Sequence, residues 1–101
     1  MRPIHIAHLD KSRPVLVLTR ELVRPYLRTV TVAPLTRTIR GLSTEVACGH
    51  ENGLDGRCVV ACDHITTIPA ANLGRQIGRL LDEQERLVTV AIHAAFDLDP
   101  V

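Results

Sequence analysis

Arg13 and Thr36 are the residues of this 101-residue chain whose types best fit phosphate chemistry. Arg13 opens the run Arg13-Pro14-Val15-Leu16-Val17-Leu18, and Thr36 closes the run Val30-Thr31-Val32-Ala33-Pro34-Leu35-Thr36. A guanidinium grips a phosphate through two parallel hydrogen bonds, and a hydroxyl adds a third. Two such runs lying side by side would make a phosphodiester site. His64 brings an imidazole, the side chain suited to proton exchange near neutral pH, and Asp63 beside it can orient that ring. Arg37, Thr38 and Arg40 follow Thr36 and are candidates for holding flanking phosphates. Each residue also has a plainer role: Arg13 as a sheet-edge cap, Thr36 as a strand end, Asp63 as a turn former, His64 as a half-exposed strand residue, and the three loop residues as a solvated basic surface. His5 and His8 fall in the first apolar segment and are read as structural.

The elements that must position these groups read as short strands. Pro3 to Leu9 is a first strand of imperfect alternation, and Arg13 to Thr19 is the clearest strand, β-branched and aliphatic from Val15 onward. Residues 20–28 start as a helical turn that Pro25 keeps short. Thr29 to Leu35 is a third strand, with Pro34 near its end. Ser43 to Cys48 and Arg57 to Cys62 form a hairpin around the turn signals Asn52-Gly53 and Asp55-Gly56. His64 to Ile68 extends or follows it, Pro69 stops it, and Ile77 to Leu80 is one more short strand. Asp82 to Phe96 is the one helix, with Asp82 as its expected N-cap and Glu85 three residues on. Leu87, Val90/Ala91, Ala94/Ala95 and Leu98 recur at helical spacing and predict a stripe that faces the core or a dimer partner. Five to seven short strands with one C-terminal helix predict a β-rich α+β fold, a small partly closed barrel, with residues 1–101 as a single domain.

Composition narrows the function classes. The core must be aliphatic, because the chain has no Trp, one Tyr and one Phe, and the same scarcity argues against a stacking platform for nucleic acid. The net charge of +1 hides an asymmetry. Residues 1–40 carry eight basic against two acidic side chains, and residues 41–101 carry four against nine. The basic half fits a polyanionic partner or a merely solvated surface. No apolar run approaches the roughly 20 residues that cross a bilayer, and no signal peptide is evident, so a cytoplasmic protein with no membrane partner is expected. Cys48, Cys58 and Cys62 are read as reduced thiols.

The ordered set of motifs resembles MazF/PemK-like toxins of toxin–antitoxin pairs. It runs from an N-terminal strand through Arg-Pro-Val-Leu-Val-Leu, Val-Thr-Val-Ala-Pro-Leu-Thr and Gly53-Leu54 to Cys62-Asp63-x-x-Thr66-x-Ile68, and then to Ile77-Gly78 before a helix. The resemblance implies an SH3-like barrel, a homodimer, and a ribosome-independent endoribonuclease held inactive by a cognate antitoxin over the RNA groove. It implies cleavage of single-stranded RNA (mRNA, or tRNA or rRNA) by the RNA's own 2′-hydroxyl, without metal or other cofactor, leaving 2′,3′-cyclic phosphate and 5′-hydroxyl ends. Arg13 matches the family's catalytic arginine, Thr36 its threonine after the third strand, and Asp63 an acidic residue after the fifth. The chain departs from the pattern at Ala61, where the plasmid-encoded branch, which carries the acidic residue matched by Asp63, has an arginine, at Thr66, where a basic residue is frequent, and in a much shorter first loop.

Three rivals stand beside that reading. A gyrase-binding toxin of the CcdB type would share the barrel and use a C-terminal aromatic, for which Phe96 is the candidate. A paralogue that binds antitoxin without cutting is suggested by Ala61. Cys48, His50, Cys58, Cys62 and His64 could gather around a structural zinc, although their spacing fits no common zinc pattern.

Overall fold

The computed structural model describes residues 2–98. Seven strands follow in chain order: β1 (Pro3–His8), β2 (Ser12–Val17), β3 (Thr29–Thr36), β4 (Glu45–Cys48), β5 (Cys58–Ala61), β6 (Thr66–Pro69) and β7 (Leu73–Arg79). One α-helix, α1 (Asp82–Ala95), follows them among the described residues. The strands form one curled antiparallel sheet in the order β4-β5-β3-β2-β1-β7, with β6 also paired to β3. This is the small, partly closed barrel with a C-terminal helix that the strand pattern predicts.

β3 is the spine. One edge pairs with β2, in the register Val15↔Pro34 and Val17↔Val32. The other edge is shared between β6, through Thr29 to Val32, and β5, through Leu35 and Thr36. β2 reads as an unbroken apolar run because both its faces are covered. Leu16 packs with Ile4, Ala33, Val60 and the helix residues Val88 and Ala91, while Val15 and Val17 pack with Ala7, Val30, Val32 and Ile68 on the opposite face.

The curl is closed by the turn between β4 and β5. Asn52 and Gln84 are both buried and exchange hydrogen bonds through their side-chain amides. Asn52 also donates to the Arg79 carbonyl at 3.0 Å, and Gln84 to the Ala47 carbonyl at 3.0 Å. The hairpin turn, the end of β7 and the start of α1 are thereby pinned at one point. Gly78 makes this approach possible, since a Cβ there would stand 1.8 Å from the Asn52 carbonyl oxygen. Opposite it, Gly53 takes a left-handed φ of +86° against Ile77.

Two expectations are corrected here. The segment before the helix is not a short strand at Ile77 to Leu80 but the seven-residue β7. Its glycines and polar residues hide it from a hydrophobic pattern, and its pairing with β1 and a hydrogen bond from the His5 ring to the Gly74 carbonyl (2.8 Å) hold it. Nor does Asp82 cap the helix. Leu81 is the N-cap, and Gln84 accepts its backbone N–H at 2.9 Å, so the back-bonding residue is Gln84 rather than Glu85. The helix buries Gln84, Val88 and Ala91, so Leu87 and Val90 of the expected stripe point outward, 54% and 65% exposed. The expected stripe is thus divided: Ala91 lies in the core and Ala95 packs against it, whereas Leu87, Val90 and Leu98 face outward, where only an interface would cover them.

Candidate active site

Strand parity decides what meets at the open end of β2 and β3. Val15 and Val17 share a face with Val30 and Val32, so Arg13 and Thr36 share it too. The Val15↔Pro34 register, carried two residues outward, sets Arg13 opposite Thr36. Both line a single open cleft of about 420 Å³, together with Thr38, Arg40, Asp63 and His64. Six of the seven residues singled out from the sequence therefore border one cavity. Arg37 does not. As an odd-numbered neighbour of Leu35 it leaves the sheet on the opposite face and borders an adjoining cavity.

The cleft brings together two guanidiniums, two carboxylates and preset donors. Arg13 and Arg40 are exposed, and among the described residues neither pairs with a carboxylate. Thr36 accepts the backbone N–H of Thr38 at 3.1 Å, which leaves its own O–H to donate. Asp63 lies in a short turn, Cys62–His64, that β5 runs into. Its carboxylate accepts a hydrogen bond from the Thr44 hydroxyl at 2.7 Å, so an acid at the rim is held in one orientation. His64 follows it, exposed and bordering the cleft.

Two residues of the cleft went unremarked in the sequence, Thr44 and Glu45. Thr44 is buried at 8% exposure and fixes Asp63. The Glu45 carboxylate accepts backbone N–H groups from Arg40, Gly41 and Leu42 at 2.9 to 3.2 Å. It therefore organises the basic loop from below, much as a capping residue organises a helix end. The only sequence signal was an acidic residue four positions after Gly41, which itself takes a φ of +73°.

The metal alternative finds no grouping: among the described residues no three His, Cys, Asp or Glu side chains are arranged to hold an ion. Cys48 and Cys58 face each other across β4 and β5, and all three cysteines are buried free thiols. Burial pushes the Cys48 thiol up to about 12, with neighbouring Cys58 and Glu51 adding to the rise. His5 and His8 are tied to the Gly74 carbonyl and the Ser12 hydroxyl, away from the cleft.

Against this geometry, comparison with known proteins is direct. The family model described as "PemK-like, MazF-like toxin of type II toxin-antitoxin system" matches residues 3–96. The chain belongs to this family. It is 63% identical over 99 residues to Endoribonuclease MazF3 of Mycobacterium tuberculosis, covering 98% of this chain and 96% of that one. Probable endoribonuclease MazF5 of the same organism is 41% identical over 88 residues, with 84% and 79% covered. The solved structure of Mycobacterium tuberculosis toxin MazF-mt6 superposes with a TM-score of 0.95 at 62% identity, covering 98% of this chain and all of that one. A mycobacterial endoribonuclease in complex with its cognate antitoxin shares the fold, with a TM-score of 0.85 at 23% identity over 98% and 95% of the two chains.

Within the MazF-like barrel the departures noted in the sequence acquire positions. Ala61 is buried at 7% exposure and lines the cleft where the pattern has an arginine. The connection between β1 and β2 is three residues, 9–11, so little covers the cleft from that side.

Proposed function

We propose that this protein is a sequence-specific endoribonuclease toxin that cleaves single-stranded RNA at the cleft bounded by Arg13 and Thr36. The observation that carries the reading is the convergence of those two side chains, from neighbouring strands, on one open cavity. Membership of a toxin family whose relatives here are named endoribonucleases gives that cavity its chemistry.

The RNA supplies its own nucleophile, the 2′-hydroxyl. Its oxygen attacks the adjacent phosphorus, the bond from phosphorus to the 5′-oxygen breaks, and a 2′,3′-cyclic phosphate and a 5′-hydroxyl result. The enzyme must accept the 2′-hydroxyl proton, hold the charge that builds on the phosphoryl oxygens, and return a proton to the leaving oxygen. Arg13 holds the charge with a bidentate fork, since a guanidinium exchanges protons too reluctantly to be the acid. Thr36 donates a further hydrogen bond to the same phosphate. Proton transfer falls to His64 and Asp63, because the third group on the rim able to perform it, the Glu45 carboxylate, is taken up by the N–H groups of Arg40, Gly41 and Leu42. Thr38 and Arg40 hold the neighbouring phosphate. No step draws on a cofactor.

The reading takes residues 1–101 as one toxin domain working in the cytoplasm, neutralised by a cognate antitoxin and assembled as a homodimer. A homodimer would give the outward face of α1, with Leu87 and Val90, a partner. Among the described residues no helix is long and apolar enough to cross a membrane.

Incubation of the purified protein with a long RNA in the presence of EDTA tests the proposal. Cutting that disappears in Arg13→Ala supports it. Intact RNA with stalled gyrase–DNA complexes would point to the exposed Phe96 instead, and an inert protein that still captures antitoxin would point to Ala61.

A further inference from the structure

A second cavity, of about 540 Å³, opens on the other face of the same strand ends. Its floor is the rim of the barrel interior, made by Ile6, Pro14, Leu54 and Ile77. Beside Thr36, its polar side chains are Arg37, Arg75, Asp55 and Gln76, these four all exposed. The two cavities adjoin. Both are bordered by Leu35 and Thr36, and of the consecutive pair Arg13-Pro14 one residue lines each. A strand of RNA with a phosphate at Arg13 and Thr36 has this cavity as its next recess across the end of the sheet.

We propose that this cavity is a nucleotide subsite for the RNA of the reaction proposed above, in which Arg37 and Arg75 hold phosphate and Asp55 and Gln76 select the base.

Charge favours a nucleotide over an apolar protein anchor, because two guanidiniums face one carboxylate there. The Arg37 guanidinium stands close enough to Cys58 to oppose the rise that burial imposes on that thiol, which places its charge over the cavity floor. The aliphatic floor offers a flat base van der Waals contact, and the volume lies within the roughly 300–1,000 Å³ of small-molecule sites. Each base-reading group offers a free acceptor. Gln76 already donates its amide N–H to the Gly78 carbonyl at 3.1 Å, and its own carbonyl oxygen has no donor among the described residues. The Asp55 carboxylate likewise has no partner there. Two acceptors match an exocyclic amino group, so the subsite takes cytosine, adenine or guanine in preference to uracil. Selection at this place goes beyond the scissile phosphate, which the catalytic cleft alone would hold without regard to sequence.

A random-sequence RNA pool in which every 2′-hydroxyl is methylated binds but cannot be cut by 2′-oxygen attack. It is partitioned on the wild type, Asp55→Asn and Arg75→Ala, each checked for an unchanged melting temperature. The wild type enriches an amino-bearing base at one position, and Asp55→Asn loses that preference by about 10-fold. Arg75→Ala weakens binding several-fold for all sequences and lowers the salt slope by about one. Equal affinity and identical enrichment in all three overturn the subsite. Unchanged RNA binding with lost antitoxin capture overturns it in favour of a protein segment. Enrichment lost in Asp55→Asn, with unmodified RNA left whole by the wild type, supports the subsite and removes only the nuclease reading.

Discussion

The Thr44 hydroxyl donates to the Asp63 carboxylate at 2.7 Å, joining the residue just before β4 to the turn that follows β5. The contact spans the mouth of the hairpin and fixes an acidic group on the rim of the cleft. Thr44→Val keeps the shape and removes the donor. Stability should fall by only about 1 kcal/mol, since Asp63 remains in reach of water. Cleavage should fall by about 10-fold or more in kcat/KM, because the acid loses its orientation. Thermal melting and steady-state cleavage of a fluorogenic RNA read the two effects separately; a drop in melting temperature with undiminished cleavage would assign Thr44 to structure alone.

Glu45 gathers the N–H groups of Arg40, Gly41 and Leu42. Glu45→Gln keeps an acceptor but loses the charge, and the loop bearing Arg40 should loosen. The expected result is a several-fold rise in KM with a smaller change in kcat, since the role proposed for the loop is to hold flanking phosphate away from the reacting bond. Equal losses in kcat and kcat/KM, with KM unchanged, would place the loop in the chemical step.

The buried Asn52–Gln84 pair predicts a stability effect remote from chemistry. Asn52→Ala leaves the Gln84 amide, the Gly49 N–H and the Arg79 carbonyl short of partners. The cost should be about 2–4 kcal/mol, large against the 5–15 kcal/mol that holds a typical domain. Gly78→Ala should cost a similar amount by forcing the β4–β5 turn away from β7. Denaturant midpoints check both.

Burial holds the Cys48 thiol at about 12, against an ordinary 9.0. At neutral pH it should resist alkylating reagents until the protein unfolds. The linkage follows from the direction. The unfolded chain releases this proton from about pH 9, while the folded chain keeps it until about pH 12. The contribution is therefore complete below pH 9 and declines as pH rises between those values, by at most about 1.4 kcal/mol per unit. Chemical denaturation from pH 8 to 11 should show the decline, and Cys48→Ala should make it shallower, the remainder belonging to Cys58 and Cys62, which burial also raises.

Where the sequence speaks clearly, it does so for physical reasons that the coordinates make plain. β2 is legible because Val15, Leu16 and Val17 are covered on both faces, so no polar residue interrupts the run. The convergence of Arg13 and Thr36 on the candidate site is legible for the same reason, as both stand at the ends of such runs. β7 was obscured by Gly74, Arg75, Gln76 and Gly78, which serve bulged pairing and close approach rather than burial. The helix misled because it hides a polar Gln84 and shows Leu87 and Val90, the reverse of what hydrophobic spacing assumes. Arg37 parted from Thr38 and Arg40 because the pleat sends neighbours to opposite faces, and a basic loop read as one patch is split between two cavities.

The most direct measurement is the rate at which Arg13→Ala and Arg13→Lys cut a defined RNA in EDTA, beside the wild type. Loss of the guanidinium should slow cleavage by roughly 10²–10³-fold. Lysine should restore only a small part of that rate, because a point charge cannot reproduce the fork. Cleavage by Arg13→Ala at the wild-type rate, from a protein equally folded, would contradict the account.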